Sequence, residues 1–126
     1  MSSKAIATAV IGAILLLGAG AARAEGDVEQ GKTVFNKCKA CHLIEGNKNT
    51  IGPNLHGVYG RKAAGIDGYK YSPAMEKAGL TWDDATLDKY LADPKAVVPN
   101  GKMVFPGLKD EKERQNVIAY LKSEAK

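Results

Sequence analysis

Both cysteines of this chain and one of its two histidines fall in one short stretch, Cys38-Lys39-Ala40-Cys41-His42. Thiols at i and i+3 followed at once by an imidazole form the pattern of covalent haem attachment. Two intervening residues let both sulfurs reach the two vinyl groups on one edge of a porphyrin. His42 then lies beneath the iron, with a ring nitrogen available for an axial position. Two other chemistries use the same residue types: disulfide exchange at a Cys-x-x-Cys pair and half of a zinc site. Exchange motifs expect a βαβ setting, which the surrounding pattern does not supply. A four-ligand zinc site would need Cys38, Cys41, His42 and His56 together, which is every cysteine and histidine present. Haem attachment is the reading that fits.

The chain opens with the features of an export leader. Lys4 gives a short positive region, residues 5–20 are apolar apart from Thr8, and Ala22-Arg23-Ala24 is a small-x-small cleavage site. Cleavage is expected after Ala24, leaving one domain over residues 25–126. Retention of the stretch as an anchor is the alternative, but it is short for a spanning helix. Export agrees with the cysteine pattern, because c-type haem is attached outside the bacterial cytoplasm and free thiols would oxidise there. The expected location is therefore the periplasm.

Removing 24 of the 126 residues leaves 102, a single small domain. Lys4 and Arg23 leave with the leader, so 16 basic side chains face 14 acidic ones, a charge of +2. Two haem propionates would cancel that remainder, and nothing in the balance supports nucleic-acid binding. A chain this short buries about 60–70% of the surface that its unfolded form exposes. A covalent porphyrin would enlarge its core.

The spacing of apolar residues predicts helices and no confident strand. Residues 26–38 read as the first helix, with Asp27 and Gln30 as a capping box and Val28, Gly31, Val34, Phe35 and Cys38 on one side. Residues 43–68 lack a period and carry many glycines, so they read as a long loop whose apolar members wrap a rigid object. Ser72-Pro73 opens a short helix closed by Gly79. Thr81 and Asp84 are expected to cap the next, which Pro94 stops. Residues 93–108 read as irregular, and a last helix starts near Asp110 and Glu113, presenting Val117, Ile118, Tyr120 and Leu121 for packing. Gly31 inside a helix costs about 1 kcal/mol relative to alanine; it marks either a close helix crossing or nothing in particular.

Beyond the cysteine pair, Gly52-Pro53-Asn54-Leu55-His56-Gly57, Gly60-Arg61-Lys62, Leu80-Thr81-Trp82, Tyr90-Leu91, Asp93-Pro94-Lys95, Lys102-Met103-Val104-Phe105 and Ile118-Ala119-Tyr120-Leu121 occur in order. Over residues 26–124 the chain resembles small class I c-type cytochromes, close to bacterial cytochrome c2 and mitochondrial cytochrome c. The resemblance implies an all-α cytochrome c fold, about four to five helices with long loops around one covalent haem c. It implies Cys38 and Cys41 as haem attachments and His42 and Met103 as axial ligands. A thioether favours reduced iron and raises the potential, although a lone Met in a loop is more often a gap-filler. His56 is the competing ligand and Met75 a weaker one; as the family's structural histidine, His56 would bond a backbone carbonyl through its ring. Pro53 resembles the proline whose carbonyl accepts from the proximal histidine. Arg61, Tyr71 and Trp82 resemble the residues holding the propionates, and Tyr90 one lying near the methionine sulfur. Gly31 and Phe35 match positions that cross the last helix at Val117 and Tyr120. Met75, Gly101 and a loop one residue shorter depart from the mitochondrial pattern beside the haem.

With both axial positions filled, the expected function is a periplasmic electron carrier rather than an enzyme. It would move electrons from a quinol-oxidising cytochrome complex to a terminal oxidase in respiration or a photosynthetic reaction centre. The alternative is a haem enzyme with peroxidase-like activity through a labile sixth ligand. Lys37, Lys39, Lys95, Lys102 and Lys109 flank the haem-binding segments, while Asp83, Asp84 and Asp88 lie elsewhere. That dipole would steer a soluble monomer to acidic docking faces on membrane redox complexes. Ala96 and Asp110 replace two lysines of the mitochondrial docking ring.

Overall fold

A computed structural model of the chain describes Gly12 and residues 26–125. The expected leader, residues 1–24, lies outside the described residues apart from Gly12. Helix α1 spans Val28–Phe35, α2 Pro73–Ala78, α3 Asp84–Ala92, α4 Pro94–Val97 and α5 Glu111–Ser123. Among the described residues there is no sheet, only an isolated antiparallel bridge between Lys62 and Thr81. No helix of the described residues is long and apolar enough to cross a membrane.

The first and last helices form the frame. Phe35, 1% exposed, packs on Tyr120 with ring centroids 5.4 Å apart, and Val117 is buried beside them. Gly31 permits the crossing, because a Cβ there would overlap Asn116 O and lie 2.8 Å from Tyr120 Cβ. Asn116, a residue the apolar pattern passed over, is buried at this crossing. Its Oδ1 accepts from Asp27 N–H at 2.8 Å and its Nδ2 donates to Gln30 Oε1 at 3.1 Å. The capping box is therefore half local. Asp27 Oδ1 accepts from Gln30 N–H at 2.9 Å, but the return arm is supplied by Asn116.

Three boundaries differ from the sequence reading. Helix α1 ends at Phe35 rather than near Cys38, because the chain tightens into i→i+3 turns: Lys37 N–H to Val34 O at 3.1 Å, Cys38 N–H to Phe35 O at 2.8 Å and Cys41 N–H to Cys38 O at 3.1 Å. The cap of α3 is Asp83, whose side chain accepts from Thr86 N–H at 2.8 Å. Thr81 lies two residues before that cap, in the bridge opposite Lys62 that Ala63 N–H to Leu80 O and Trp82 N–H to Arg61 O close. Pro94 does end α3, yet it also starts the single turn of α4, with Asp93 accepting from Ala96 N–H at 3.3 Å. Ser72 and Asp110 cap α2 and α5 as their spacing implies, and Gly79 adopts the left-handed conformation at the end of α2.

Between these helices the long loops are pinned by few, specific bonds. Trp82 O accepts from Gly60 N–H at 2.7 Å and Trp82 N–H donates to Arg61 O at 2.9 Å. Arg114 ties α5 to α3 and to the segment after Met103, donating to Asp88 Oδ1 at 2.8 Å and to Leu108 O at 2.9 Å. Tyr69 O–H donates to Ile51 O at 2.9 Å, and Lys102 Nζ donates to Lys70 O at 3.0 Å while lying 4.8 Å over the Tyr69 ring. Loops near residues 51, 70 and 102 are thereby fastened together around a common space.

Candidate haem site

That space is a cavity of about 310 Å³, and Cys38, Cys41, His42, Pro53, Arg61, Tyr71, Trp82, Tyr90 and Met103 all line it. The residues that the resemblance assigns to the haem are thus brought to one place. His56 is not among the lining residues and is exposed. It works through its backbone: its N–H donates to Asn54 Oδ1 at 2.8 Å and its O accepts from Arg61 Nη1 at 3.2 Å. Among the described residues its ring bonds no carbonyl, contrary to the role that the resemblance implied.

The turns after α1 deliver both thiols and the imidazole to one wall. Cys41 O accepts from Gly52 N–H at 2.7 Å and from Thr50 Oγ1–H at 2.6 Å, which presses the following loop against His42. Gly52 leaves room for the ring, since a Cβ there would overlap His42 Cε1 and lie 2.6 Å from Nδ1. His42 Nδ1 lies 2.8 Å from Pro53 O. A carbonyl only accepts, so the proton sits on Nδ1 and the lone pair on Nε2. Burial pushes the His42 pKa down, against the bond to Pro53. The ring is held neutral, the state a metal-binding imidazole needs. Burial, then the neighbouring Cys41, pushes the Cys38 thiol up, with Lys37 opposing. An exchange-active thiol needs the reverse. Among the described residues no group of three or more His, Cys, Asp or Glu is placed to hold a metal ion.

Met103, on the same cavity, comes from the irregular segment between α4 and α5. Tyr90 O–H lies 3.9 Å from Met103 Sδ, and the Tyr90 ring packs 4.9 Å from Trp82. Met75 also lines the cavity, as the sequence departure beside the haem implied. Arg61 donates to Asn54 O at 3.1 Å as well as to His56 O, and burial lowers its pKa. Tyr71 O–H accepts from Ile66 N–H at 3.2 Å, so its own proton remains available.

A family model described as Cytochrome c matches residues 28–125. The chain belongs to the cytochrome c family. It is 60% identical over 89 residues to cytochrome c2 iso-2 of Magnetospirillum fulvum, covering 71% of this chain and 93% of that protein. It is 51% identical over 119 residues to cytochrome c2 of Rhodomicrobium vannielii, covering 94% of each. Among solved structures, cytochrome cH from Methylobacterium extorquens superposes with a TM-score of 0.74 at 55% identity, covering 78% of this chain and 99% of that one. The fold is accordingly the small all-α cytochrome c fold. The family binds haem c covalently, and Cys38, Cys41 and His42 fit its attachment motif. Its members carry electrons and are not enzymes.

The cavity fits that cofactor. Its wall is mostly apolar, paired thiols and an oriented imidazole stand on one side, and a thioether stands among its lining residues. The polar residues that sequence reasoning missed are Thr50, Asn49, Asn54, Tyr69 and Arg114. Tyr69 lines the cavity, while Thr50, Asn49, Asn54 and Arg114 act from behind its wall, through bonds to backbone or side chains that local spacing does not announce.

Tyr90 also predicts an alkaline limit. Burial pushes its pKa from 10 up to about 12. The unfolded chain ionises this phenol from about pH 10 while the folded one keeps it protonated, so stability falls as pH rises. The loss should reach about 2–3 kcal/mol by pH 12. Denaturant melts at successive alkaline pH values check this, and Tyr90→Phe should remove that part of the slope.

Proposed function

We propose that this chain is a soluble periplasmic electron carrier, exported by a leader that ends at Ala24. It would move single electrons from a quinol-oxidising cytochrome complex to a terminal oxidase or a photosynthetic reaction centre. The observation that carries the reading is the pairing, on one cavity, of an imidazole whose Nδ1 is held 2.8 Å from Pro53 O and a methionine thioether. In this reading Cys38 and Cys41 would hold the haem through thioether bonds, and His42 and Met103 would ligate its iron. Bound haem c supplies one-electron chemistry, its iron alternating between ferrous and ferric.

The protein's contribution is to keep both donors in place and the surroundings dry. Pro53 O fixes the orientation of His42 and raises its basicity. Tyr90 O–H, bonded to the Met103 sulfur, draws electron density from it and favours the reduced form. With His42 and Met103 both holding the iron, the chain itself would leave no position for oxygen or peroxide. Arg61, Tyr71 and Trp82 are the propionate partners; Arg61 has donors to spare beyond the two engaged with carbonyls.

Export is supported by the composition of residues 1–24: a basic start, an apolar run and a small-x-small site at Ala22-Arg23-Ala24. Lys37 and Lys102 stand at the cavity and support a basic docking face. Its strength is moderated by pairing of Lys37, whose Nζ is 3.2 Å from Glu113. Encounter with acidic partners should therefore slow with salt, but modestly. The reading is tested by electrochemical titration of protein released from the periplasm by osmotic shock. A reversible one-electron curve from a chain of residues 25–126 plus one haem is expected. A membrane-retained chain, or a potential that drifts on cycling, would refute it.

A further inference from the structure

The hydrogen bond on His42 does not stop at Pro53. The peptide joining Pro53 to Asn54 is trans, so its C=O and N–H point in opposite directions from one rigid plane. Its oxygen lies 2.8 Å from His42 Nδ1, and its N–H donates to Asn49 Oδ1 at 2.8 Å. The two bonds are in series through a single amide. An amide whose N–H is engaged has a more negative oxygen, and consecutive hydrogen bonds strengthen one another. The orientation of the Asn49 carboxamide follows from its partner, because only Oδ1 can accept from an N–H.

The surroundings hold this peptide in register. Asn54 is 3% exposed and every one of its polar groups is engaged. Its Nδ2 donates to Glu45 O at 2.9 Å and Lys48 O at 3.0 Å, its Oδ1 accepts from His56 N–H, and its O accepts from Arg61 Nη2 at 3.1 Å. Residues 45–48 are all exposed, so this loop is shaped by a buried carboxamide rather than by apolar packing. Asn54 braces the loop, and Asn49 alone stands in line with the bond to His42.

We propose that Asn49 is a positioning residue of the redox centre: its Oδ1, acting through the peptide between Pro53 and Asn54, strengthens the hydrogen bond on His42 Nδ1 and so lowers the reduction potential. A stronger bond gives the imidazole more anionic character, which favours the more positive oxidised iron. The inference rests on His42 being an iron ligand.

The test uses the intact haem-loaded protein and two readouts: the midpoint potential and the His42 Nδ1–H resonance in the reduced state. Asn49→Ala should raise the ferrous-to-ferric ratio at fixed electrode potential about threefold, about 30 mV for a one-electron couple. The Nδ1–H resonance should move upfield and exchange faster with solvent. Asn49→Asp restores an acceptor and should return that resonance, an effect that persists at high salt, where the plain charge effect of the carboxylate is screened. An unchanged potential and resonance in Asn49→Ala, with only a lower melting temperature, would reduce Asn49 to a loop brace and overturn the proposal. An equal shift from Asn47→Ala, an exposed neighbour, would overturn it too. Absence of the sulfur-to-iron band or of covalent haem from the parent protein would instead overturn the ligand assignment beneath it.

Discussion

Replacing Gly31 by alanine should separate α1 from α5 and cost the protein about 2–4 kcal/mol. The added Cβ would overlap Asn116 O and stand 2.6 Å from Asn116 C. These are backbone atoms of a packed helix, which cannot swing aside as the end of a flexible side chain can. Helix α1 must move outward, and with it go the contact of Phe35 on Tyr120 and both hydrogen bonds of buried Asn116. Overpacking costs about 1–3 kcal/mol, and a buried polar group left unpaired about 1–3 more. The gain in helix propensity, about 1 kcal/mol, offsets only part. For a domain of this size the melting temperature should fall by roughly 10 °C or more. Thermal unfolding followed by circular dichroism checks this; an unchanged melting temperature would mean that the helices do not cross at Gly31.

Gly52→Ala should strike the redox centre rather than the framework. The φ angle of Gly52 is not in the left-handed region, so alanine is allowed by the backbone and the effect is steric. Its Cβ would overlap His42 Cε1 and lie 2.6 Å from Nδ1 and 3.0 Å from Nε2. The imidazole must tilt away from Pro53 O, losing the bond that orients it. The expected result is a shift of the redox equilibrium by about tenfold or more, about 59 mV for one electron, with a high-spin fraction in the oxidised spectrum. Covalent haem should be retained, since the thiols are untouched. A parental potential and spectrum would show that the ring and the glycine do not meet.

The chemistry of this chain is legible because it is local or ordered along the sequence. The thiols and His42 are neighbours, the caps Asp27, Ser72 and Asp110 act within three residues, and Met103 sits in a loop of recognisable composition. What the sequence hides is set by partners far away. Thr81 reads as a cap, yet it sits in the bridge between the segments around Lys62 and Leu80, the helix starts later, and the task falls to Asp83. Asn116 reads as the polar face of α5, yet it is buried because Asp27, 89 residues earlier, needs an acceptor. Lys102 reads as a free docking charge, yet it reaches Lys70 O and the Tyr69 ring. Gly52-Pro53-Asn54 carries some signal for Asn54, as a polar residue in a tight turn. Asn49 carries none, since its role depends on which peptide its side chain meets.

The most direct test of the central claim is the visible and near-infrared spectrum of the oxidised protein, recorded beside that of Met103→Ala after acid-acetone extraction confirms covalent haem. Ligation by His42 and Met103 predicts a low-spin spectrum with a weak long-wavelength sulfur-to-iron band that vanishes in the variant. A band absent from the parent protein, with low-spin spectra that change in His56→Ala, would contradict the assignment and place a second histidine on the iron.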